Sequence, residues 1–339
     1  MKPLNSKQIA ELAGVSRSTV SRVINDYSDI PESTRKRVKD IIKQHNYTPN
    51  VSAQLMKGKA QAVITLYIYA SEEDSESDYM CRVGSSYVMN FISSFIAEAS
   101  KYKFRVMIEL LKYDEPESEV LERITSHFQS KSTYAGVFLG LTSDVKFIDK
   151  LVKEDWPLAV IDREIEANKY VFNVFTKDHE GIYEITKDLI KAGNTSILYL
   201  GGDESKRSAV QRRMGYLEAM AEYKLVGLDL RGGFTEASGI KAVIDILERE
   251  ILPQAIVCAS DIIAFGVINE LERIKPTLLD SIKVTGFDNN SLLSAHHHRL
   301  TSVKVDFNQM AKKTIHSLLD KSESPVAQSI LVDVTVIKR

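Results

Sequence analysis

From Ile9 to Ile30 the sequence IAELAGVSRSTVSRVINDYSDI spaces its apolar residues as two short helices would. Asn5, with Gln8 three places on, forms a capping-box pattern that starts a first helix at Ser6 and turns Ile9, Ala10 and Ala13 inward. Gly14 ends that helix, because a sharp turn between helices needs a residue that tolerates positive φ. Ser16 is an N-cap for a second helix whose Val20, Val23 and Ile24 recur at helical spacing and pack inward. Its other face shows Arg17, Ser18, Ser21 and Arg22. A third helix is predicted after Pro31, from about Glu32 to His45, with Val38, Ile41 and Ile42 closing a small core.

After Gly58 the pattern changes to apolar runs alternating with amphipathic stretches. AVITLYIYA from Ala62, FRVMIELL from Phe104, YAGVFLGL from Tyr134, LAVI from Leu158, SILYLGG from Ser196, QAIVCAS from Gln254 and IKVTGF from Ile282 read as strands. Near-continuous apolar runs separated by helices indicate parallel sheets covered on both faces, an α/β doubly wound architecture. The runs fall into two halves, about 62–161 and 162–288.

Composition adds bounds. At 339 residues with 44% hydrophobic content, the chain has length for about two or three domains and a substantial core. Its two cysteines, Cys81 and Cys258, do not make a disulfide framework. The polar amino terminus is unlike a signal peptide and no apolar run approaches a membrane span, so a soluble cytoplasmic protein is expected. Charge is unevenly placed. Residues 1–60 hold 11 Lys or Arg against 5 Asp or Glu, a net of +6, whereas the whole chain is −2 and the remainder therefore −8. A basic head on an acidic body is the layout of a protein that touches phosphate at one end. On the head, Arg17 and Arg22 lie about one turn apart with small hydroxyl residues between them, which lets guanidinium forks reach guanine edges in a major groove. Ser16, Thr19 and Asn25 are candidates for phosphate contacts that position the helix, and Thr34, opening the third helix, joins the DNA-contact set.

The runs AGVSRSTVSRVIND, PESTRKRVKDIIKQHNYTPN and VSAQLMKGKA closely resemble the DNA-binding head and hinge of the lactose-repressor (LacI/GalR) family of bacterial regulators. The resemblance implies a helix-turn-helix domain at 1–46, a hinge at 47–60, and a two-lobed periplasmic-binding-protein-like core with one lobe at 61–161 and 292–322 and the other at 162–291 and 323–339. In that family the hinge folds when two subunits place their hinge helices together in the minor groove, and an apolar wedge enters a base step. Here the hinge candidates are Asn50 as a cap, Ala53, and Met56 at the wedge position where the family usually has Leu. A linker residue without DNA contact is the other reading of Met56.

In open α/β sheets ligands bind beyond the carboxyl ends of strands, which a two-lobed fold gathers into one cleft. Asp162 and Arg163 follow LAVI, Ser260 and Asp261 follow IVCA, and Asp288 ends VTGFD. Carboxylates and a guanidinium suit the hydroxyls of a sugar. The resemblance carries over Asp162, Asp261 and Asp288, and adds Arg212, three residues before Gly215, as an effector-contacting Arg. Ser260 departs from the Asn of some sugar-binding relatives, and Asp261 also reads as a plain helix cap. The acidic stretch Ser71–Asp78 lacks the pattern of a calcium loop and reads as a solvated loop, whose charge near the cleft mouth opposes a phosphorylated ligand and mildly favours a neutral one. His296, His297 and His298 are consecutive and cannot all face one metal, so no metal or cofactor is expected.

The resemblance implies a homodimeric regulator, a repressor of carbohydrate genes that binds operator DNA and is released by a small sugar. No leucine heptads follow ILVDVTVIKR, so a dimer is expected over a tetramer. Co-repression by ligand or by a phosphoprotein is the alternative within the family, and a sugar-binding transport protein the alternative outside it. No nucleophile and base pair, metal cluster or phosphate-cradling glycine loop indicates an enzyme.

Overall fold

The computed structural model describes residues 6–24, 30–44, 62–70, 86–166, 170–290, 300–319 and 329–339. Asn5, Asn25, Asn50, Ala53, Met56, the 71–78 stretch, Cys81 and the histidine triplet lie outside them, as do the side chains of Ser21 and Ile24.

The head consists of α1 (Ser6–Ala13), α2 (Arg17–Ile24) and α3 (Glu32–Gln44). Ile9, Ala10, Ala13, Val20, Val23 and Val38 bury together, with Val15, Ile30, Ile41 and Ile42 packed against them. Gly14 takes φ +60°. Its N–H and that of Val15 return to the carbonyls of Glu11 and Ala10, closing the end of α1. Ser16 caps α2 by accepting the Thr19 N–H at 3.1 Å.

The remaining elements run β1 (Val63–Ala70), α4 (Ser86–Lys101), β2 (Arg105–Lys112), α5 (Glu117–Gln129), β3 (Ala135–Leu139), α6 (Phe147–Leu151), β4 (Leu158–Ile161), β5 (Val171–Thr176), α7 (Asp178–Lys191), β6 (Ile197–Leu200), α8 (Arg207–Glu222), β7 (Leu228–Leu230), α9 (Glu236–Glu248), β8 (Ala255–Cys258), α10 (Asp261–Ile274), β9 (Lys283–Asp288), β10 (Thr301–Val305), α11 (Phe307–Leu319), β11 (Ser329–Val332) and β12 (Val334–Ile337). They build two six-stranded sheets, ordered β11-β5-β4-β3-β1-β2 and β12-β10-β9-β8-β6-β7. The pairing is parallel except between β10 and β12. Strands β3, β4, β6 and β8 are buried at every residue, as a parallel sheet covered on both faces requires.

Strand pairing departs from the sequence-based division of the lobes. β5, which the apolar pattern passed over, extends the first sheet beyond residue 161, because Leu158–Ile161 pairs with Val171–Val174. Its interior Asn173 looks like a break in the pattern, yet it is buried and both ends of its amide are satisfied by the backbone of Ile165. β10 joins the second sheet beside β9, although 292–322 was expected in the first lobe. α11 does pack on α4 of the first lobe, through Tyr87 on Phe307 and Tyr102 on His316. The last stretch divides, β11 pairing in the first sheet and β12 in the second. Among the described residues the chain thus passes between sheets at 176–178, 305–307 and 332–334. Two of these crossings are tied by Lys177 Nζ to Asp333 Oδ1 at 2.6 Å, and the third is joined to them by the Asp333 N–H donating to Gln309 Oε1 at 3.1 Å.

Candidate functional site

On the head, Arg17, Ser18 and Arg22 are exposed along one face of α2 while Val20 and Val23 are buried on the other. Ser16 Oγ lies 2.7 Å from Ser18 Oγ and 2.8 Å from Thr19 Oγ1, so the small hydroxyls cluster at the start of the helix. Thr19 and Thr34 are half-buried. α3 adds exposed Lys36, Arg37 and Lys39.

In the core the strand ends converge. Backbone geometry marks the place: among the described non-glycine residues with positive φ, Lys103, Lys131, Lys224 and Glu250 each sit just past a helix C-terminus, where this conformation is ordinary. The others are Asp162 (φ 59°), Asp288 (φ 100°) and Asn289 (φ 49°), at the ends of β4 and β9. Strain of about 1–3 kcal/mol per residue persists only where surrounding structure imposes it, and it clusters at functional sites.

Arg212 on α8 organises the site. Its guanidinium is buried 3.6 Å from the centre of the Phe287 ring, donates from Nε to Asp178 Oδ1 at 2.8 Å and from Nη1 to the Ala259 carbonyl at 2.6 Å, and brings Nη2 to 3.8 Å from Asp288 Oδ1. Asp178, the first residue of α7, is steadied by the Thr176 hydroxyl at 2.6 Å. Two carboxylates are left with an uncommitted oxygen: Asp162, whose Oδ2 accepts from Ser208 Oγ while Oδ1 has no partner, and Asp288, whose Oδ1 accepts no hydrogen bond. Ser260 Oγ is buried and likewise unpaired. Burial, reinforced by the charge of Asp178 and offset by Ser208 and Arg212, pushes Asp162 up to about 7. Burial pushes Asp288 up to about 8 against the pull of Arg212, with Asp261 and Asp178 adding to the rise. Both carboxyls can therefore donate as well as accept near neutral pH.

The other expected residues are committed to the protein. Arg163 turns to the loop after β3, donating to the carbonyls of Thr142 at 2.5 Å and Val145 at 2.6 Å. Asp261 accepts from Ser302 Oγ and from the Asn290 N–H, both at 2.6 Å, and so holds β10 and the end of β9 together. Burial is the main cause of its rise to about 6. Its Oδ1 comes within 2.1 Å of where a Cβ on Gly286 would stand, which explains the glycine.

Several site residues escaped the sequence reading. Tyr87 at the start of α4 has its phenol pushed well up by burial and by the charges of Asp162, Asp178 and Asp288, which puts it among them. Asp178 follows a strand as Asp162 does, and the signal was lost with β5. Ser208 lies four residues before Arg212, on the same helix face, and could have been found from that spacing. Groups of opposite lobes meet here: Ser208 with Asp162, the Arg207 guanidinium 3.9 Å from the Phe175 ring centre, and the Ser143 N–H with the Ser205 carbonyl at 3.2 Å. Among the described residues no His, Cys, Asp and Glu group could hold a metal, and no helix is long and apolar enough to cross a membrane.

Residues 7–50 match the family described as bacterial regulatory proteins, lacI family, and residues 186–339 match the periplasmic binding protein-like domain. The chain is 26% identical over 324 residues to the probable HTH-type transcriptional repressor ExuR of Bacillus subtilis (strain 168), covering 94% of this chain and 92% of that one. It is 27% identical over 318 residues to the HTH-type transcriptional repressor PurR of Actinobacillus pleuropneumoniae serotype 3 (strain JL03), covering 93% and 90%. Among solved structures it resembles the lac repressor dimer bound to operator and the anti-inducer ONPF, with TM-score 0.71, 21% identity and coverage of 100% and 98%. It also resembles the complex of the transcriptional regulator CelR with cellobiose, with TM-score 0.69, 22% identity and coverage of 98% of each chain. With a helix-turn-helix head followed by a two-sheet core whose strand ends form one polar cleft, the chain joins a lacI-family DNA-binding domain to a periplasmic binding protein-like domain, and it is similar along nearly its whole length to HTH-type transcriptional repressors.

Proposed function

We propose that this protein is a cytoplasmic, homodimeric repressor whose α2 reads a pseudo-palindromic operator and whose core binds a polyhydroxylated effector that alters operator affinity. The observation that carries the reading is the set of buried, uncommitted polar atoms at the strand ends: Asp162 Oδ1, Asp288 Oδ1 and Ser260 Oγ. Leaving such atoms unpaired costs about 1–3 kcal/mol each, a cost that a ligand rich in hydroxyls offsets on binding. Phe175 and Phe287 seat the guanidiniums of Arg207 and Arg212 beside these atoms. The relatives named as repressors, and the CelR structure with cellobiose, support the same assignment. Arg17, Ser18, Ser21 and Arg22 read bases; Asn5, Ser16, Thr19, Asn25 and Thr34 hold phosphates; Asn50, Ala53 and Met56 act at the minor groove. Exposed Met107, Ile108 and Leu110 on edge strand β2, with Met89 and Ile96 on α4, offer an apolar surface to a second copy.

The test is operator selection from genomic fragments, followed by anisotropy titration of the selected DNA with and without a sugar panel. A sugar that binds the full chain and shifts operator affinity in either direction supports the reading, and the sign separates induction from co-repression. Sugar binding that never changes operator affinity refutes it.

A further inference from the structure

Arg207 stands apart from the carboxylate cluster and from Arg212. As the first residue of α8, it lays its guanidinium on the Phe175 ring of the opposite lobe, at 3.9 Å, which fixes the plane of the group. Nη1 is buried without a hydrogen-bond partner. An unpaired buried guanidinium nitrogen is costly, and a planar fork with fixed orientation matches a carboxylate in two-point geometry. Arg212, by contrast, spends Nε and Nη1 on Asp178 and Ala259.

The surroundings favour negative charge at this point. Lys206 places its ammonium 5.7 Å from the Phe234 ring centre. No acidic residue lies in the first turn of α8, whereas α7 carries two there and α9 and α10 one each. The positive end of the helix dipole is met through Ser208 by Asp162, whose charge burial suppresses near neutral pH. One residue further on, Ser208 holds Asp162, whose other oxygen is unpaired. A ligand seated here meets a cationic fork next to a hydroxyl-binding carboxyl.

The geometry points to Arg207, framed by Phe175, as the subsite for a carboxylate group of the effector, which makes the ligand class a sugar acid and not a neutral sugar. The inference rests on the reading of the cleft as an effector site. It revises the preference for a neutral ligand drawn from the 71–78 stretch. Repulsion from the cleft is limited, because burial holds Asp162 and Asp288 at about 7 and about 8, so a large share of both is uncharged at neutral pH. Asp178 faces Arg212, and Asp261 is bonded to Ser302 and Asn290.

The experiment is calorimetric titration of the full-length protein with glucuronate against glucose and galacturonate against galactose, repeated on Arg207→Gln and Arg207→Lys. Unliganded operator binding and thermal midpoint serve as checks that each variant folds. The expected result is that one acid binds about tenfold or more tightly than its neutral parent. Arg207→Gln should abolish that preference by weakening the acid about tenfold more than the neutral parent, while Arg207→Lys should keep part of it, having the charge without the fork. Equal losses for acid and neutral sugar in Arg207→Gln would make Arg207 a strut between the lobes and overturn the assignment. Neutral sugars that bind and shift operator affinity with no preference for the acid overturn it too, and leave the proposed function standing. Binding of neither class overturns both.

Discussion

Asp288→Asn should make the protein more stable and less responsive at the same time. Asp288 is held at about 8 in the fold against 3.8 for a free carboxyl, with burial the largest cause. Because the folded value is raised, the stability linked to this group is fully present below pH 3.8 and is lost as pH rises through 8. At pH 7 the unfolded chain ionises freely while the folded one must hold the proton, a cost of ~4 kcal/mol; at pH 5 the same reasoning leaves only about 1–2 kcal/mol. Asparagine keeps the shape and cannot ionise. Arg212 retains Asp178 and the Ala259 carbonyl, so the neighbouring guanidinium is not stranded. For a core of this size the change corresponds to a rise in thermal midpoint of roughly 4–8 °C at pH 7, shrinking toward pH 5. Scanning calorimetry of both proteins from pH 5 to 8 measures it, alongside anisotropy titration of operator release by effector, which should need about tenfold more ligand in the variant. A variant no more stable than the parent at pH 7, or a gain that fails to grow with pH, would refute the account of Asp288 as a carboxyl strained for ligand binding.

Arg212→Ala strands buried Asp178 and should cost about 3–5 kcal/mol in urea unfolding, whereas loss of ligand binding with stability unchanged would make Arg212 a ligand contact alone. Gly286→Ala drives a methyl into Asp261 Oδ1, dislodging the carboxylate from Ser302 and Asn290, and should lower stability by about 1–3 kcal/mol; an unchanged thermal midpoint would contradict the packing argument. Arg22→Ala should weaken operator binding by roughly 1–3 kcal/mol and relax sequence preference, and an equal loss on random DNA would reassign it to phosphate.

What could be seen in the sequence follows from what periodicity reports. The head core was legible because Ile9, Ala13, Val20, Val23 and Val38 are buried at helical spacing, and the caps at Gly14 and Ser16 depend on local chemistry alone. LAVI and AIVC were legible because parallel strands buried on both faces are continuous apolar runs. β5 was not, since Asn173 is satisfied by Ile165, a partner that no pattern within the strand announces. β10 was hidden similarly: Ser302 is buried to serve Asp261, and Lys304 between Val303 and Val305 gives the alternation of a surface strand. The cleft residues were located by strand ends, but which of them are spent internally depends on partners brought from afar. Arg163 and Asp261 have the composition of ligand contacts and the bonding of braces.

That distinction bears on how ligand and DNA would oppose or reinforce one another. A ligand shifts an equilibrium only through differential affinity for its states, so the groups that matter are those whose partners depend on the lobe arrangement. Asp162 and Arg207 are such groups: Ser208 of the second lobe holds one oxygen of Asp162 in the first, and Arg207 rests on Phe175 across the same seam. A ligand that fills Asp162 Oδ1 and Arg207 Nη1 bridges the lobes through atoms already drawn together, and favours whichever arrangement keeps Ser208 and Phe175 in place. Arg163 and Asp261 bond within their own lobes and report nothing of that arrangement. Substitutions at Arg207 or Ser208 should therefore change the coupling between effector and operator, an energy typically of about 1–3 kcal/mol, whereas substitutions at Arg163 should change stability and leave the coupling intact.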